Sequence, residues 1–393
     1  MKMRLAVVCY PTYGGSGVVA TELAIHLANR GHDIHVISYE QPFRLDRPLP
    51  NLRFHAVDVS EYPLFRYPPY TLNLTNKLIE VVEEHDVQII HSHYAIPHAA
   101  AAWQAQQVLR ECGRPNGSGE RRTRCDVKLA CTLHGTDITL VGRERGFFEI
   151  TRFAINHQDL ITTPSEWLAR ETEKAFHIAK GRILAIPNFV EINRFIPDAT
   201  QVWRASLAPP DYRVITHVSN FRPVKRVEEV VGAFAVLRKQ MKAVLVLVGD
   251  GPELPKAEHL ARTLGIRDDV RLLGQQKPEP ILQASDLFLL PSRAESFGLA
   301  ALEAMACGCP VLGYRAGGLP EVVEHGVTGL LCDEGGDHCL GTMAAALLKD
   351  DQRYQVMRLA ARARAERFAP PPIVDVYERA LMALVGNNDN KTA

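Results

Sequence analysis

The sequence predicts an α/β protein built as two doubly wound parallel sheets in tandem. Three observations carry this. Short apolar, β-branched runs alternate with helical patterns almost from end to end of the 393 residues. Those runs are apolar throughout rather than alternating with polar residues, as expected of parallel strands covered on both faces. A proline-bearing break at about Asn193–Pro210, with Pro197, Pro209 and Pro210, divides the chain into two similarly built halves. Strand–helix alternation of this kind reads as open α/β sheets, and at roughly 150 residues per domain the length suits two.

In the first half the expected strands are Leu5–Tyr10, Ile34–Ser38, Val87–Ser92, Lys128–Leu133, Leu160–Thr163 and Ile183–Ile186. In the second they are Val214–Ser219, Ala243–Val248, Val270–Leu273, Leu287–Leu290, Val311–Gly313 and Gly329–Cys332. The expected domains are 1–195 and 196–393, with the last helix a candidate to pack back on the first. Two segments read as insertions: Arg44–Tyr70, rich in Pro and aromatics, and the polar Gly113–Asp126. The tail from Asn387 onward is polar and reads as frayed. Ligands of open α/β sheets bind outside the carboxyl ends of the strands, so two such domains are expected to face each other across a cleft.

Composition excludes several classes. Hydrophobic residues at 46% and charged residues at 23% rule out extended disorder and coiled coil. Lys+Arg and Asp+Glu both total 45, so the basic excess of a dedicated nucleic-acid binder is missing. No apolar run approaches the roughly 18 residues of a membrane span. The start enters a strand pattern at once and resembles no signal peptide. Eight cysteines without a CxxC pair fit a reduced, cytoplasmic chain. Oligomeric state, including a homo-oligomer, stays open.

Four strand ends carry polar motifs. Tyr10-Pro11-Thr12-Tyr13-Gly14-Gly15-Ser16-Gly17 follows the first strand and precedes the helix Val18–Asn29. Its glycines let backbone approach a ligand and the helix start favours an anion; the plainer account is a tight strand–helix turn. It is neither GxGxxG nor a P-loop. His91-Ser92-His93-Tyr94 ends another strand. His91 and His93 share a face by period two, but no acidic or Cys partner stands at ligand spacing, so satisfied histidines are favoured over a metal pair. Tyr94 is expected to point into the cleft. Thr132-Leu133-His134-Gly135-Thr136-Asp137 places a His and an Asp past the fourth strand, either as a site for substrate and proton transfer or as a local hydrogen-bonded turn. Arg222-Pro223-Val224-Lys225-Arg226 follows the first strand of the second half. Three cations in five residues there invite a diphosphate over a solvated basic loop.

The most informative stretch runs from Glu295 to Gly308. Ser296 reads as the N-cap and Gly308 as the stop of a helix. The N–H groups of Phe297, Gly298 and Leu299 are then free to face an anion. Glu303 lies among Ala, Leu and Met, where an unpaired charge is costly; it needs a sugar hydroxyl, or an Arg in a structural pair. If Glu295 and Glu303 were both helical they would lie about 12 Å apart, too far for a shared-proton dyad but suited to gripping two ends of a long ligand.

At this point the sequence resembles the GT-B retaining glycosyltransferases of family 4. Glu295 and Glu303 match that family's E-x7-E signature, and Gly249-Asp250-Gly251-Pro252 matches its VGDGP turn. The likeness covers essentially the whole chain. Within the family it is strongest to the bacillithiol-pathway branch, through Cys9–Gly17, His91–His98, Thr132–Thr139, Thr151–Ile155 and His217–Val227 taken in order. The resemblance implies retaining transfer of N-acetylglucosamine from UDP-GlcNAc to the hydroxyl of L-malate.

By the family pattern Glu303 binds ribose and Glu295 holds the sugar. Gly15, Arg222, Lys225 or Arg226, and the amides of Ser296, Phe297, Gly298 and Leu299 hold the diphosphate; Asn188 lies near the donor. Ser16, Tyr94, Thr132 and Arg152 match the positions that hold malate, and His134 the position beside the transferred sugar. No Asp-x-Asp occurs, which fits an enzyme with no metal and no cofactor. Competing classes are a UDP-sugar epimerase of the same fold, a non-catalytic nucleotide-binding module, and a sibling transferase using a sugar phosphate or glycan. A dinucleotide oxidoreductase lacks its GxGxxG.

Overall fold

The computed structural model describes residues 2–12, 14–46, 48–59, 67–112, 126–197, 202–333 and 336–386. The expected insertion Gly113–Asp126, apart from Asp126, and the tail from Asn387 lie outside these. The chain forms two compact units, residues 1–187 with 371–393, and residues 188–370.

The N-terminal unit holds a sheet of β1 (Arg4–Val8), β2 (Asp33–Ser38), β3 (Leu52–Ala56), β4 (Ile89–His93), β5 (Lys128–Thr132), β6 (Leu160–Thr163) and β7 (Ile183–Ala185). Their order is β3-β2-β1-β4-β5-β6-β7, every pair parallel. β3 is a correction. Its sequence Leu-Arg-Phe-His-Ala alternates apolar and polar and follows prolines, so it reads as part of an insertion. As the sheet's edge it is only half covered, which is where such a pattern belongs. The helices Tyr70–His85 and Ala100–Cys112 cover one face through Leu74, Leu78, Val82, Ala105 and Leu109.

The C-terminal unit holds β8 (Arg213–Val218), β9 (Ala243–Val248), β10 (Val270–Leu272), β11 (Leu287–Leu290), β12 (Val311–Tyr314) and β13 (Gly329–Cys332). Their order is β10-β9-β8-β11-β12-β13, again parallel throughout. All six residues of β9 are buried, the consequence of a strand covered on both faces.

The unit boundary falls ahead of residue 195. Val190 and Phe195 are buried in the same apolar cluster as Phe288 and Phe297, and the Val190 N–H donates to Phe368 O at 3.0 Å. The apolar side chains of this stretch, not the prolines after it, decide where the chain changes unit. The helix Pro370–Gly386 ends in the N-terminal unit. There Tyr377 is buried and Glu378 accepts from Arg30 while lying 2.7 Å from His32 Nε2.

Candidate active site

In each sheet the chain turns in opposite directions from two neighbouring strands, β1 and β4 in one and β8 and β11 in the other. The carboxyl ends of such a pair are the general ligand site of open α/β sheets. The motifs singled out by sequence lie on these four loops or on the strand beside them.

In the C-terminal unit, the loop after β8 is held by close backbone approach. Phe221 is buried at φ 36°, with its N–H on Ser219 Oγ at 3.2 Å. A Cβ on Gly249 would lie 1.8 Å from Ser219 O, and Gly249 has φ 122°. No other residue type fits there. This loop presents three cations with different surroundings. Lys225 Nζ donates to Glu295 Oε2 at 2.8 Å. Arg226, in the left-handed region at φ 51°, begins the helix Val227–Arg238 and pairs with Glu229, which also accepts from the Tyr314 hydroxyl. Arg222 is exposed and in no ion pair among the described residues. Lys225, not Arg226, is therefore the cation joined to the second loop.

That second loop follows β11. Glu295 is buried, at 8% exposure. Phe297 is buried and packs edge-on against Phe368 at 5.8 Å. The helix then spans Leu299–Ala306, and its N-cap is Gly298 at φ 96°, with no side-chain cap. This corrects the reading of Ser296 as N-cap. The chain must pass through the left-handed region, which Gly alone enters without penalty, so the helix starts later than the Ser predicts. The free amides are those of Gly298 through Ala301. Glu295 lies outside the helix, and the spacing derived from a continuous helix does not apply. Glu303 is on this helix, 9% exposed, and Gly308 ends it at φ 70°.

His217, which sequence reasoning left without a role, ties the two strands together. Its Nδ1 lies 2.8 Å from Leu289 O and its Nε2 2.8 Å from Ser219 Oγ. Burial, with help from Lys225, lowers its pKa to about 4, so it is neutral. A histidine inside the apolar run of the strand Arg213–Val218 was the available signal. Asn188 is buried, and its Oδ1 has no hydrogen-bond partner among the described residues.

In the N-terminal unit the helix after β1 spans Gly15–Asn29, so Gly15 and Ser16 are its first two residues, with no side-chain cap. After β4, Tyr94 takes φ 96° and its N–H donates to Thr132 O at 3.0 Å. The Tyr94 ring lies 5.4 Å from those of Tyr10 and His134, and Tyr10 lies 4.4 Å from His98. His93 Nδ1 is 2.9 Å from His134 Nε2. Burial, with neighbouring histidines adding to it, lowers the His134 pKa to about 3. Asp137 accepts from the N–H groups of Ala95, Gly135 and His134 at 3.1, 3.0 and 3.3 Å. Burial still pushes its carboxyl up to about 6. Asp137 thus fixes the His134 turn and ties it to the loop after β4.

Thr132 is fully buried, and its hydroxyl bonds His91 Nε2 and Thr162 Oγ1, each at 2.7 Å. The hydroxyl expected to contact malate thus already has two partners within the sheet. Arg152 sits partly exposed on the helix Phe148–Asn156 and pairs with the exposed Glu149 at 2.7 Å. His91 Nε2 and His93 Nδ1 take separate partners, Thr132 and His134, but His91 Nδ1 and His93 Nε2 have none among the described residues, so neither ring is fully satisfied as the sequence predicts.

Two Rossmann-like parallel sheets with polar loops at both switch points define the GT-B glycosyltransferase class. The family described as Glycosyltransferase Family 4 matches residues 13–194, and that described as Glycosyl transferases group 1 matches residues 200–364. The chain is 43% identical over 381 residues to N-acetyl-alpha-D-glucosaminyl L-malate synthase of Bacillus anthracis, covering 96% of each chain. It is 30% identical over 382 residues to D-inositol 3-phosphate glycosyltransferase of Nocardia farcinica, covering 91% of this chain and 82% of that one. The chain belongs to glycosyltransferase family 4. In fold it is similar to sucrose-phosphate synthase of Thermosynechococcus elongatus, with TM-score 0.80 and 21% identity over 98% of this chain and 100% of that one. It is likewise similar to Anabaena HepE in complex with UDP and glucose, with TM-score 0.77 and 21% identity over 97% and 99%. Among the described residues no helix is long and apolar enough to cross a membrane.

Proposed function

We propose that the protein transfers N-acetylglucosamine from UDP-GlcNAc to the hydroxyl of L-malate with retention, the first step of bacillithiol biosynthesis, in the cytoplasm and without a metal ion. The observation that carries this is the 43% identity, over 96% of both chains, to a protein named for that activity. The site chemistry supports it. The C-terminal unit carries the donor: Glu303 takes the ribose hydroxyls, and Asn188 offers its unbonded Oδ1 to the donor. Glu295 takes hydroxyls of the sugar. Lys225, Arg222 and the amides of Gly298 and Leu299 take the diphosphate. Lys225 has three N–H donors and gives one to Glu295, leaving two. Gly15, at a helix start of the N-terminal unit, offers a further amide.

The N-terminal unit carries the acceptor. A surface pair such as Arg152–Glu149 is worth about 0–1 kcal/mol, so Arg152 exchanges it at small cost for a bidentate carboxylate. Ser16 and Tyr94 supply hydroxyls, and Thr132 supports Tyr94 through its carbonyl. His134, neutral, is the residue this reading assigns to the transferred sugar. In the reaction the anomeric carbon–phosphate oxygen bond breaks as the malate oxygen bonds the same face of that carbon. The malate hydroxyl proton passes to the departing phosphate oxygen. The protein's part is positioning and stabilisation of the charge on UDP.

A second reading is favoured by the 30% identity to a D-inositol 3-phosphate glycosyltransferase: a sugar phosphate as acceptor. Following UDP release from UDP-GlcNAc with L-malate, other hydroxy acids, polyols and D-inositol 3-phosphate separates the two. Release above hydrolysis with L-malate is expected; release with the inositol phosphate alone would replace the acceptor.

A further inference from the structure

Outside the loops discussed so far, three histidines from distant points of the sequence converge under the edge of the N-terminal sheet. In β2, His35 and Ile37 share a face by period two. Ile37 pairs in parallel register with His55 of β3, so His55 lies on the same face. The helix Tyr70–His85 covers that face, packing Leu74, Leu78, Val81 and Val82 against Ile37, and its last residue is His85. One nitrogen from each of His35, His55 and His85 lies within 4.8 Å of the others. The His35 and His85 rings are stacked at 4.3 Å, and His35 Nδ1 is 2.9 Å from His55 Nε2.

We propose that His35, His55 and His85 form a binding site for a divalent transition-metal ion of the zinc class, separate from the transferase site. Three imidazoles with an open fourth position are a standard zinc donor set, with Zn–N about 2.0–2.1 Å. Tetrahedral coordination at that length sets nitrogens about 3.3 Å apart, close to the observed His35–His55 contact. His85, at a helix end and with a side chain 21% exposed, has room to turn its ring edge inward. His35 is fully buried, and its Nε2 has no hydrogen-bond partner among the described residues. The Asp33 carboxylate stands 3.8 Å from that nitrogen. If Nδ1 binds the ion, Nε2–H can close on Asp33, the carboxylate–histidine–metal arrangement that orients ligating imidazoles. The ion would staple edge strand β3 to β2 and to the covering helix.

The test uses the full chain, dialysed against EDTA and then titrated with Zn²⁺ by calorimetry and with Co²⁺ by visible absorption. One tight equivalent is expected, with a tetrahedral Co²⁺ spectrum and a raised unfolding temperature. His85→Ala and His55→Ala should each weaken that equivalent at least tenfold and remove the thermal shift. Far-UV circular dichroism and UDP affinity report whether each variant is folded, and His85→Ala, at a helix end, is the one least able to disturb the fold. No tight equivalent in the parent chain, or equal affinity in a folded His85→Ala, would overturn the proposal. Turnover in EDTA is not expected to change, because none of these residues touches the donor or acceptor groups.

Discussion

The loop after β8 and the loop after β1 occupy the same place in their two sheets, and they carry opposite chemistry. After β8 stand Arg222, Lys225 and Arg226, with Lys225 joined to buried Glu295 and the amides of a helix start beyond it. After β1 stand Tyr10, Gly14, Gly15 and Ser16, and the neighbouring β4 loop adds Tyr94, His93 and His98, all neutral groups in ring contact or hydrogen bonding. A diphosphate needs fixed positive charge, whereas a small hydroxy acid needs one cation and shape. On the proposed function, one architecture would serve two ligands by changing what the switch-point loops carry, in keeping with function residing in sites grafted on a common fold.

Breaking the charged side should cost most. Lys225→Met removes the cation proposed to face the leaving diphosphate and strands Glu295; kcat should fall about 100- to 1000-fold, as for loss of one oxyanion donor. A fall in stability alone, with kcat intact, would make the pair structural. Glu303→Ala should weaken UDP by about 1–3 kcal/mol, the range for hydrogen bonds to a charged group, with the melting temperature near that of the parent. Unchanged UDP affinity with a collapsed melting temperature would assign Glu303 to the fold. On the neutral side, Arg152→Ala should raise the malate KM by about 10- to 150-fold, equivalent to about 1.5–3 kcal/mol, and leave UDP affinity alone. Lys at that position should rescue only part, lacking the planar fork.

A pH test sharpens the same comparison. Burial lowers His91 and His98 to about 4 and His134 to about 3 in the N-terminal unit, and His217 to about 4 in the C-terminal one. These folded values lie below the unfolded 6.5, so the stability each contributes is full above 6.5 and is lost as pH falls toward 4. Each histidine held at about 4 is worth at most about 3 kcal/mol, and His134 at most about 5 kcal/mol. Asp137, raised to about 6, runs the other way: its contribution is present below its unfolded value and is lost as pH rises through 6, offsetting roughly one histidine. Hydrogen exchange at pH 7 and pH 5, corrected for intrinsic rates, should show greater loss of protection in the N-terminal unit. Equal loss in both units would contradict the burial argument. The smallest effect expected is from Glu149→Gln, which frees Arg152 and should lower the malate KM by no more than about threefold, since the pair is exposed.

The sheets were legible because buried parallel strands leave uninterrupted apolar runs; Leu160–Thr163, Ala243–Val248 and Leu287–Leu290 have the bounds their patterns predict. β3 was not legible, because a half-covered edge strand after prolines has no such run. The switch-point loops could be found because each motif directly follows a strand. The start of the helix at Gly298 could not, because it depends on a left-handed residue and on Phe297 packing against Phe368. The burial of the Thr132 hydroxyl depends on His91 and Thr162 in neighbouring strands. The His35–His55–His85 cluster is invisible along the chain for the same reason: only parallel register and the covering helix bring it together.

The central claim is retaining, metal-free transfer to L-malate, and one spectrum tests it. The protein is incubated with UDP-GlcNAc and L-malate in excess EDTA, and the product's anomeric proton is read by NMR as UDP accumulates. The donor is an α-glycoside, so the predicted product is an α-linked N-acetylglucosaminyl malate, formed at the same rate with and without the chelator. A β-linked product, free N-acetylglucosamine as the sole sugar product, or turnover that appears only when Mg²⁺ or Mn²⁺ is restored would contradict it.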